Sequence, residues 1–194
     1  MKHEIFKTEL NYIKDERIRK SCEIILDLLP DYFYEIPASS TGKYHPSFSL
    51  GDGGLVRHVK VAVRIGKELL DNPSFKNNYK DWEKDIMLMT LVLHDGLKSG
   101  LNHDRYTAFN HPILIRDFVN NHKDEIDLKK EELELFSSCV ESHMGGVPWN
   151  KNSYTNEELP IPKSKYQVFV HMCDFLSSKK FLNVNFNNNE IVDE

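Results

Sequence analysis

Apolar residues recur every three or four positions along most of this chain, the spacing that places them on one face of an α-helix. Between positions 15 and 29 this face is followed at once by Pro30, a residue that ends helices. We predict helices over about 15–29, 55–70, 82–94, 112–119, 133–143 and 163–182. Internal repeats and heptad arrays are not visible, so the pattern predicts an all-α fold formed by a single helical bundle.

The segment from Ile86 to Leu93 is apolar at almost every position, and it leads directly into His94 and Asp95. An element with this pattern is buried on all sides, so its last turn carries two polar groups into the interior. A metal cation would bind both side chains and compensate the carboxylate charge. For an isolated pair, a hydrogen bond between His94 and Asp95 is the simpler alternative.

Four more polar side chains occupy apolar positions or helix ends. His58 falls on the apolar stripe of its helix, whereas basic residues such as Lys60 fall on the expected solvent face. His111 precedes a helix start, His143 continues an apolar stripe, and Asp174 has apolar neighbours on both sides. Each has a plain alternative as a hydrogen-bonded core residue or a helix cap. Together they match the way a helical bundle builds a metal centre in its core.

Composition limits the domain organisation and the partners. With 194 residues, 40% of them hydrophobic and 28% charged, the chain suits one compact domain with small extensions. We expect an N-terminal helical extension over 1–37, the main domain over 38–182 and a loosely ordered tail over 183–194. The net charge of -5 argues against a broad basic surface, so duplex DNA is not an expected partner.

Several features favour a cytoplasmic protein. The first residues are charged and lack the apolar core of a signal peptide, and no apolar run approaches the length of a membrane span. We therefore expect no membrane association. Cys22, Cys139 and Cys173 lack C-x-x-C spacing and sit among apolar neighbours, which favours reduced core residues over disulfides or metal-bound thiolates.

The order of His58, His94-Asp95 and Asp174 resembles the H…HD…D signature of the HD-domain superfamily of metal-dependent phosphohydrolases. The resembling segments are Gly53-Gly54-Leu-Val-Arg-His58, His94-Asp95-Gly-Leu-Lys98, His111-Pro112 and Glu141-Ser142-His143-Met144-Gly145. The resemblance extends over about 39–180. The overall pattern is similar to the HD domain of exoribonucleases that also carry an OB-fold RNA-binding domain, which these 194 residues do not include.

The resemblance implies an HD-type helical bundle that holds one or two divalent ions, with Mn, Fe, Co, Ni and Mg all admissible. The implied metal ligands are His58, His94, Asp95 and Asp174 for one ion, and Asp95, His111 and His143 for the other. Asp95 and Lys98 are the implied catalytic residues. Asp95 would bridge the two ions that activate a water, and Lys98 would neutralise a phosphoryl oxygen.

Substrate contacts are predicted near the implied ligands. The candidates are Lys43, Tyr44, His45, Arg105 and Ser177, with ordinary surface positions as the alternative for each. The small hydroxyls, glycine and lysine of segment 39–46 suit anion binding by backbone N–H groups, or a plain surface loop.

The expected function is hydrolysis of a phosphomonoester or phosphodiester in a nucleotide or a short single-stranded oligonucleotide. Two other functions stay open: an HD-fold binding or regulatory module without catalysis, and a di-iron oxygenase. Lys98 and the full ligand set favour the hydrolase over the binding module, and Lys98 with the loop of residues 39–45 favours it over the oxygenase. The sequence makes no prediction about the oligomeric state.

Overall fold

The computed structural model describes residues 1–39, 41–43 and 45–192, and helices are the main secondary structure of these residues. The α-helices are α1 (Lys7–Leu10), α2 (Glu16–Leu28), α3 (Tyr32–Glu35), α4 (Gly54–Asp71), α5 (Pro73–Lys76), α6 (Asp81–Leu93), α7 (His111–Asn121), α8 (Lys130–Glu141) and α9 (Lys165–Ser177). Short 3-10 turns span Lys2–Phe6 and Ser47–Ser49. Within the described ranges the strands are β1 (Phe186–Asn187) and β2 (Glu190–Ile191), an antiparallel pair. The fold is therefore mostly helical, as the apolar spacing predicts.

Helix α6 lies at the centre of the bundle, with α2, α4, α8 and α9 packed around it. Every residue from Asp85 to Leu93 is buried, which explains why this segment has no polar face. Gly66 of α4 allows a close approach to α6, since a Cβ at this position would lie 2.6 Å from Cδ1 of Leu91. The C-terminal end of α6 consequently lies deep in the molecule.

The N-terminal residues belong to the same core as the central helices. Phe6 and Ile13 are fully buried in it. The carboxylate of Asp85 on α6 accepts hydrogen bonds from the backbone N–H groups of Lys14 and Asp15, at 2.9 and 2.8 Å. Segment 1–37 contains α1, α2 and α3, and α2 packs directly on α6.

Lys60 differs from its predicted place on the solvent face of α4, because its side chain is fully buried. Its Nζ lies 2.9 Å from a carboxylate oxygen of Glu9 on α1 and 2.7 Å from one of Glu190 on β2. The ion pairs compensate the buried charge. They also join α4 to the hairpin of β1 and β2, within the segment predicted as a loosely ordered tail.

Cys22, Cys139 and Cys173 are buried and form no disulfides, in agreement with the prediction of reduced core residues. Burial raises the pKa of each thiol, so all three are neutral near pH 7. Among the described helices, none has the length and the apolar character needed to cross a bilayer.

Candidate metal centre

The six predicted metal ligands come from five helical segments whose ends meet in the interior. His58 lies in the second turn of α4, and Asp174 lies on α9. His94 and Asp95 follow α6 directly, His111 is the first residue of α7, and His143 comes two residues after α8. The four imidazoles and Asp95 are at most 2% exposed, and the side chain of Asp174 is 18% exposed. The helical pattern therefore delivers all six side chains to one buried region.

Asp95 connects two groups of potential ligands. His58, His94 and Asp95 offer ligand atoms that all lie within 4.8 Å of one another, and so do Asp95, His111 and His143. The first group uses Oδ2 of Asp95, at 3.5 Å from Nε2 of both His58 and His94. The second uses Oδ1, at 3.1 Å from Nε2 of His111. One carboxylate thus faces both groups, each with a different oxygen.

Asp174 is a second carboxylate beside the first group. Its Oδ1 lies 3.0 Å from Nε2 of His58 and 3.4 Å from Nε2 of His94. His58 and His94 therefore point their Nε2 atoms between two carboxylates.

Backbone carbonyls fix the tautomers of three imidazoles. In His94, His111 and His143, Nδ1 lies 2.7 Å from the carbonyl oxygen three residues earlier in the chain. A carbonyl oxygen only accepts hydrogen bonds, so Nδ1 carries the hydrogen in each ring. The Nε2 atom is left with a free lone pair when the ring is neutral, and this is the state in which histidine binds a metal.

His58 reaches the same tautomer through Ser177. The Ser177 hydroxyl donates to the carbonyl oxygen of Asp174 at 2.7 Å, so its oxygen accepts from Nδ1 of His58 at 3.2 Å. This placement corrects the prediction that Ser177 contacts substrate, because the hydroxyl is fully buried behind the imidazole. Ser177 orients His58 instead.

The charges in this cluster favour a cation. Burial alone would raise the pKa of Asp95, but Lys98 and the neighbouring histidines outweigh it and hold the pKa well below its usual value. Burial also opposes ionisation of Asp174, but His58 and His94 hold its pKa well below the usual value. Burial opposes a positive charge on His94, yet Asp95 and Asp174 raise the pKa of this imidazole. Both carboxylates are therefore ionised, and they attract positive charge to the position between them.

The donor atoms fit a divalent metal ion. The Nε2 atom of His94 is buried and has no hydrogen-bond partner among the described residues, although two carboxylates lie beside it. Burial lowers the pKa of His143 to about 3, which keeps this imidazole neutral and able to bind a metal. The donors are nitrogen and oxygen only, a set suited to Mn, Fe, Co, Ni or Mg.

Lys98 lies at the edge of the cluster. Its Nζ is 2.5 Å from Oδ2 of Asp95, and the residue is 9% exposed. Both side chains line a cavity of about 370 Å³ that opens beside the ligand cluster. Its polar lining includes Asp95, Lys98, His111, His171 and Asp174, and its apolar lining includes Met144, Trp149 and Phe175. An ammonium group is thus available where a molecule in this cavity would meet the cluster.

The predicted substrate contacts have different positions relative to this cavity. His45 lines it, and its ring packs edge-on against His58 with centroids 4.9 Å apart. Burial lowers the pKa of His45 to about 3, so it is neutral. Lys43 is exposed and is not part of the lining, and Arg105 lines a neighbouring cavity that also includes Lys98. Tyr44 lies outside the described residues.

Sequence reasoning missed His171. It lies three residues before Asp174 on α9, so the two residues share a helix face and both line the cavity. This spacing was the available signal, but α9 is apolar around most of its circumference and the spacing alone did not distinguish His171 from a packing residue.

No family model, no curated protein and no solved structure matches this chain.

Proposed function

We propose that this protein is a metal-dependent phosphohydrolase with an HD-type helical bundle, and that it acts on nucleotides or short single-stranded oligonucleotides. The observation that carries the proposal is the environment of Asp95. Each oxygen of its carboxylate faces a different pair of imidazoles, and the Lys98 ammonium contacts the same carboxylate. Two metal sites next to a phosphate-binding cation would supply both the activated water and the charge neutralisation that phosphoester hydrolysis uses.

The ligand groups define what each cation would contact. His58, His94, Asp95 and Asp174 would hold one ion, and Asp95, His111 and His143 would hold the other. Divalent ions bound there lower the pKa of a water molecule and neutralise negative charge on a phosphoryl group. The carbonyls behind Nδ1 of His94, His111 and His143 keep each imidazole oriented, which removes the need for reorganisation when the site loads.

Lys98 has the role of holding the phosphoryl group. Its ammonium donates to Asp95, and it lines the cavity together with that residue. When a phosphoryl oxygen approaches, the ammonium can donate to it without leaving the cavity wall. Such a fixed cation stabilises the charge that develops on phosphoryl oxygens during hydrolysis.

The size and lining of the cavity favour a nucleotide over a larger nucleic acid. A volume of about 370 Å³ is near the lower end for small-molecule sites. Trp149 and Phe175 offer aromatic surface on which a base can pack. The net charge of -5 disfavours long contacts with a phosphate backbone.

Three free, buried cysteines further support a cytoplasmic location.

The test is hydrolysis of p-nitrophenyl phosphate and bis-p-nitrophenyl phosphate by protein reconstituted with each of the five metals. We expect turnover with at least one metal, and at least a hundredfold loss in Asp95→Asn. Asp104→Asn is the matched control, because Asp104 belongs to a second His-Asp pair that is exposed. Metal binding without turnover of either ester would instead identify a binding module, and failure to bind any of the metals would refute the proposal.

A further inference from the structure

His171 has a defined place on the cavity wall. On α9 it precedes Asp174 by three residues and Phe175 by four, so all three side chains share one helix face. All three line the cavity beside the ligand cluster. His171 therefore lies about one helical turn from a carboxylate of the proposed metal site.

The ring of His171 is held from three sides. Its Nδ1 lies 2.8 Å from the carbonyl oxygen of His143, and its ring centroid is 5.9 Å from that of Phe175. Gly145 covers a third side so closely that a Cβ at this position would lie 2.2 Å from Cε1 of His171. Only a glycine at position 145 leaves room for the imidazole.

The hydrogen bond determines what the second ring nitrogen can do. Because the His143 carbonyl only accepts, Nδ1 of His171 carries the hydrogen and Nε2 of the neutral ring is an acceptor. Among the described residues, Nε2 of His171 has no hydrogen-bond partner and no carboxylate within 4.0 Å. This distinguishes His171 from the four imidazoles whose Nε2 atoms face Asp95 or Asp174.

An unused acceptor in this position selects for a hydrogen-bond donor on the ligand. Ionised phosphate oxygens do not donate, so the donors of a nucleotide are its sugar hydroxyls and the N–H groups of its base. The sugar is the part adjacent to the phosphate. With a phosphoryl group at Lys98 and the ligand cluster, a residue one turn from Asp174 is placed to meet the sugar.

We propose that Nε2 of His171 accepts a hydrogen bond from a ribose hydroxyl, and that this residue makes the cavity selective for nucleotides that carry this hydroxyl over the deoxy forms that lack it. The inference rests on the proposed function, since it assumes a phosphoryl group at the ligand cluster. It makes His171 a substrate-binding residue and assigns it no part in the chemical step.

The test measures binding by calorimetry, with protein loaded with Mn²⁺. The probes are the four ribonucleoside 5′-monophosphates and their 2′-deoxy and 3′-deoxy counterparts. We expect the tightest ribonucleotide to bind about tenfold more strongly than one of its deoxy forms, which is the contribution of one neutral hydrogen bond. The two deoxy series identify which hydroxyl His171 contacts.

Variants at position 171 test whether the preference for the ribonucleotide depends on the imidazole itself. His171→Ala is expected to bind the ribonucleotide and its deoxy form equally, and His171→Gln to keep part of the preference through its amide oxygen. His122→Ala is the matched control, because Nδ1 of His122 also lies 2.8 Å from a backbone carbonyl but is remote from the cavity lining. The control should keep the full preference.

Three results would overturn the inference: equal binding of the two sugars by the unaltered protein, an unchanged preference in His171→Ala, or no binding of any probe. The first is decisive even if the His171 variants do not fold. Hydrolysis of p-nitrophenyl esters is scored in parallel. If hydrolysis persists in any of these three cases, the proposed function stands and only the inference about His171 fails. If the protein prefers one sugar but hydrolyses neither ester, the proposed hydrolase activity fails and the inference about His171 stands.

Discussion

The Nε2 atoms of His111 and His143 lie 3.1 Å apart, both on the same side of the Asp95 carboxylate. Each of these rings already uses its Nδ1–H to bond a backbone carbonyl. In their neutral tautomers the two Nε2 lone pairs face one another and a carboxylate oxygen. Three acceptors in contact repel each other unless a proton or a cation lies between them.

This relationship predicts that His143 is required for ion binding at only one of the two proposed metal sites. In His143→Ala we expect the bound Mn²⁺ to fall from two ions per chain to one, because His58, His94, Asp95 and Asp174 remain intact. Equilibrium dialysis followed by elemental analysis measures the stoichiometry. His122→Ala serves as the control. Loss of both ions, or of neither, would contradict the separation into two sites.

Lys98 gives a prediction that separates catalysis from metal binding. Replacing it with methionine removes the ammonium that contacts Asp95 but keeps most of the side-chain volume. We expect metal affinity to be maintained or increased, since the carboxylate loses a competing cation, while kcat falls about a hundredfold. Lys84→Met is the matched control, because Lys84 pairs with Asp81 at the same i,i+3 spacing at the far end of α6. Unchanged turnover in Lys98→Met would remove Lys98 from the proposed mechanism.

The helices and the burial of the candidate ligands were accessible from sequence because both depend on local spacing. The apolar run of 86–93 predicts a buried helix that ends at a polar pair, and this is the arrangement around His94 and Asp95. The stripe that contains His58 predicts its buried position on α4 for the same reason. Spacing within a helix determines which face a residue occupies, and in these cases that face lies toward the core.

The remaining features depend on contacts between distant segments. Lys60 was expected on the solvent face of α4, but Glu9 and Glu190 cover it from opposite ends of the chain. Ser177 shares a face with Asp174, yet packing of α4 on α9 buries it behind His58. The partner of His171 is a carbonyl 28 residues earlier in the chain. Helical periodicity contains no information about which distant segment covers a given face.

A partly buried ion pair gives the expected dependence of stability on pH. Arg17 of α2 donates to both carboxylate oxygens of Glu132 on α8, at 2.7 and 2.8 Å, and the Glu132 side chain is 2% exposed. Burial opposes ionisation, but the hydrogen bonds from Arg17 and from the backbone of Lys129 lower the pKa of Glu132 below its usual value of 4.5. An acid whose pKa is lowered by folding contributes stability above its unfolded pKa and loses it as the pH falls further.

We therefore expect Glu132→Gln to lower the free energy of unfolding by about 2 kcal/mol at pH 7. The difference from the unaltered protein should shrink as the pH falls below about 4.5, because the unfolded chain then binds a proton at Glu132 before the native carboxylate does, until the pH also passes the lowered native pKa. Urea unfolding measured between pH 7 and pH 3 gives the comparison. Glu131→Gln changes an exposed neighbour on the same helix and should leave the pH profile unchanged. A difference that stays constant with pH would show that the charge of Glu132 is not responsible.

Gly54 lies one turn before His58, a residue of the proposed metal centre, at the start of α4. A Cβ at this position would lie 2.2 Å from the carbonyl oxygen of Ser49, and a backbone atom cannot rotate away as a flexible side chain can. In Gly54→Ala the first turn of α4 must shift, and His58, one turn later, moves with it. We expect a loss of about 2 kcal/mol, or a decrease of roughly 4–8 °C in Tm. We also expect weaker binding of the ion held by His58.

Gly146→Ala provides the comparison for this prediction, since a Cβ at Gly146 would have no neighbour within 4 Å and the backbone there does not adopt a positive φ. Its Tm should equal or slightly exceed that of the unaltered protein, because alanine restricts the unfolded chain. Calorimetric melting in chelator isolates the packing effect, and melting with Mn²⁺ adds the effect on the site. If Gly54→Ala melted like Gly146→Ala under both conditions, close packing at Gly54 would not be what positions His58.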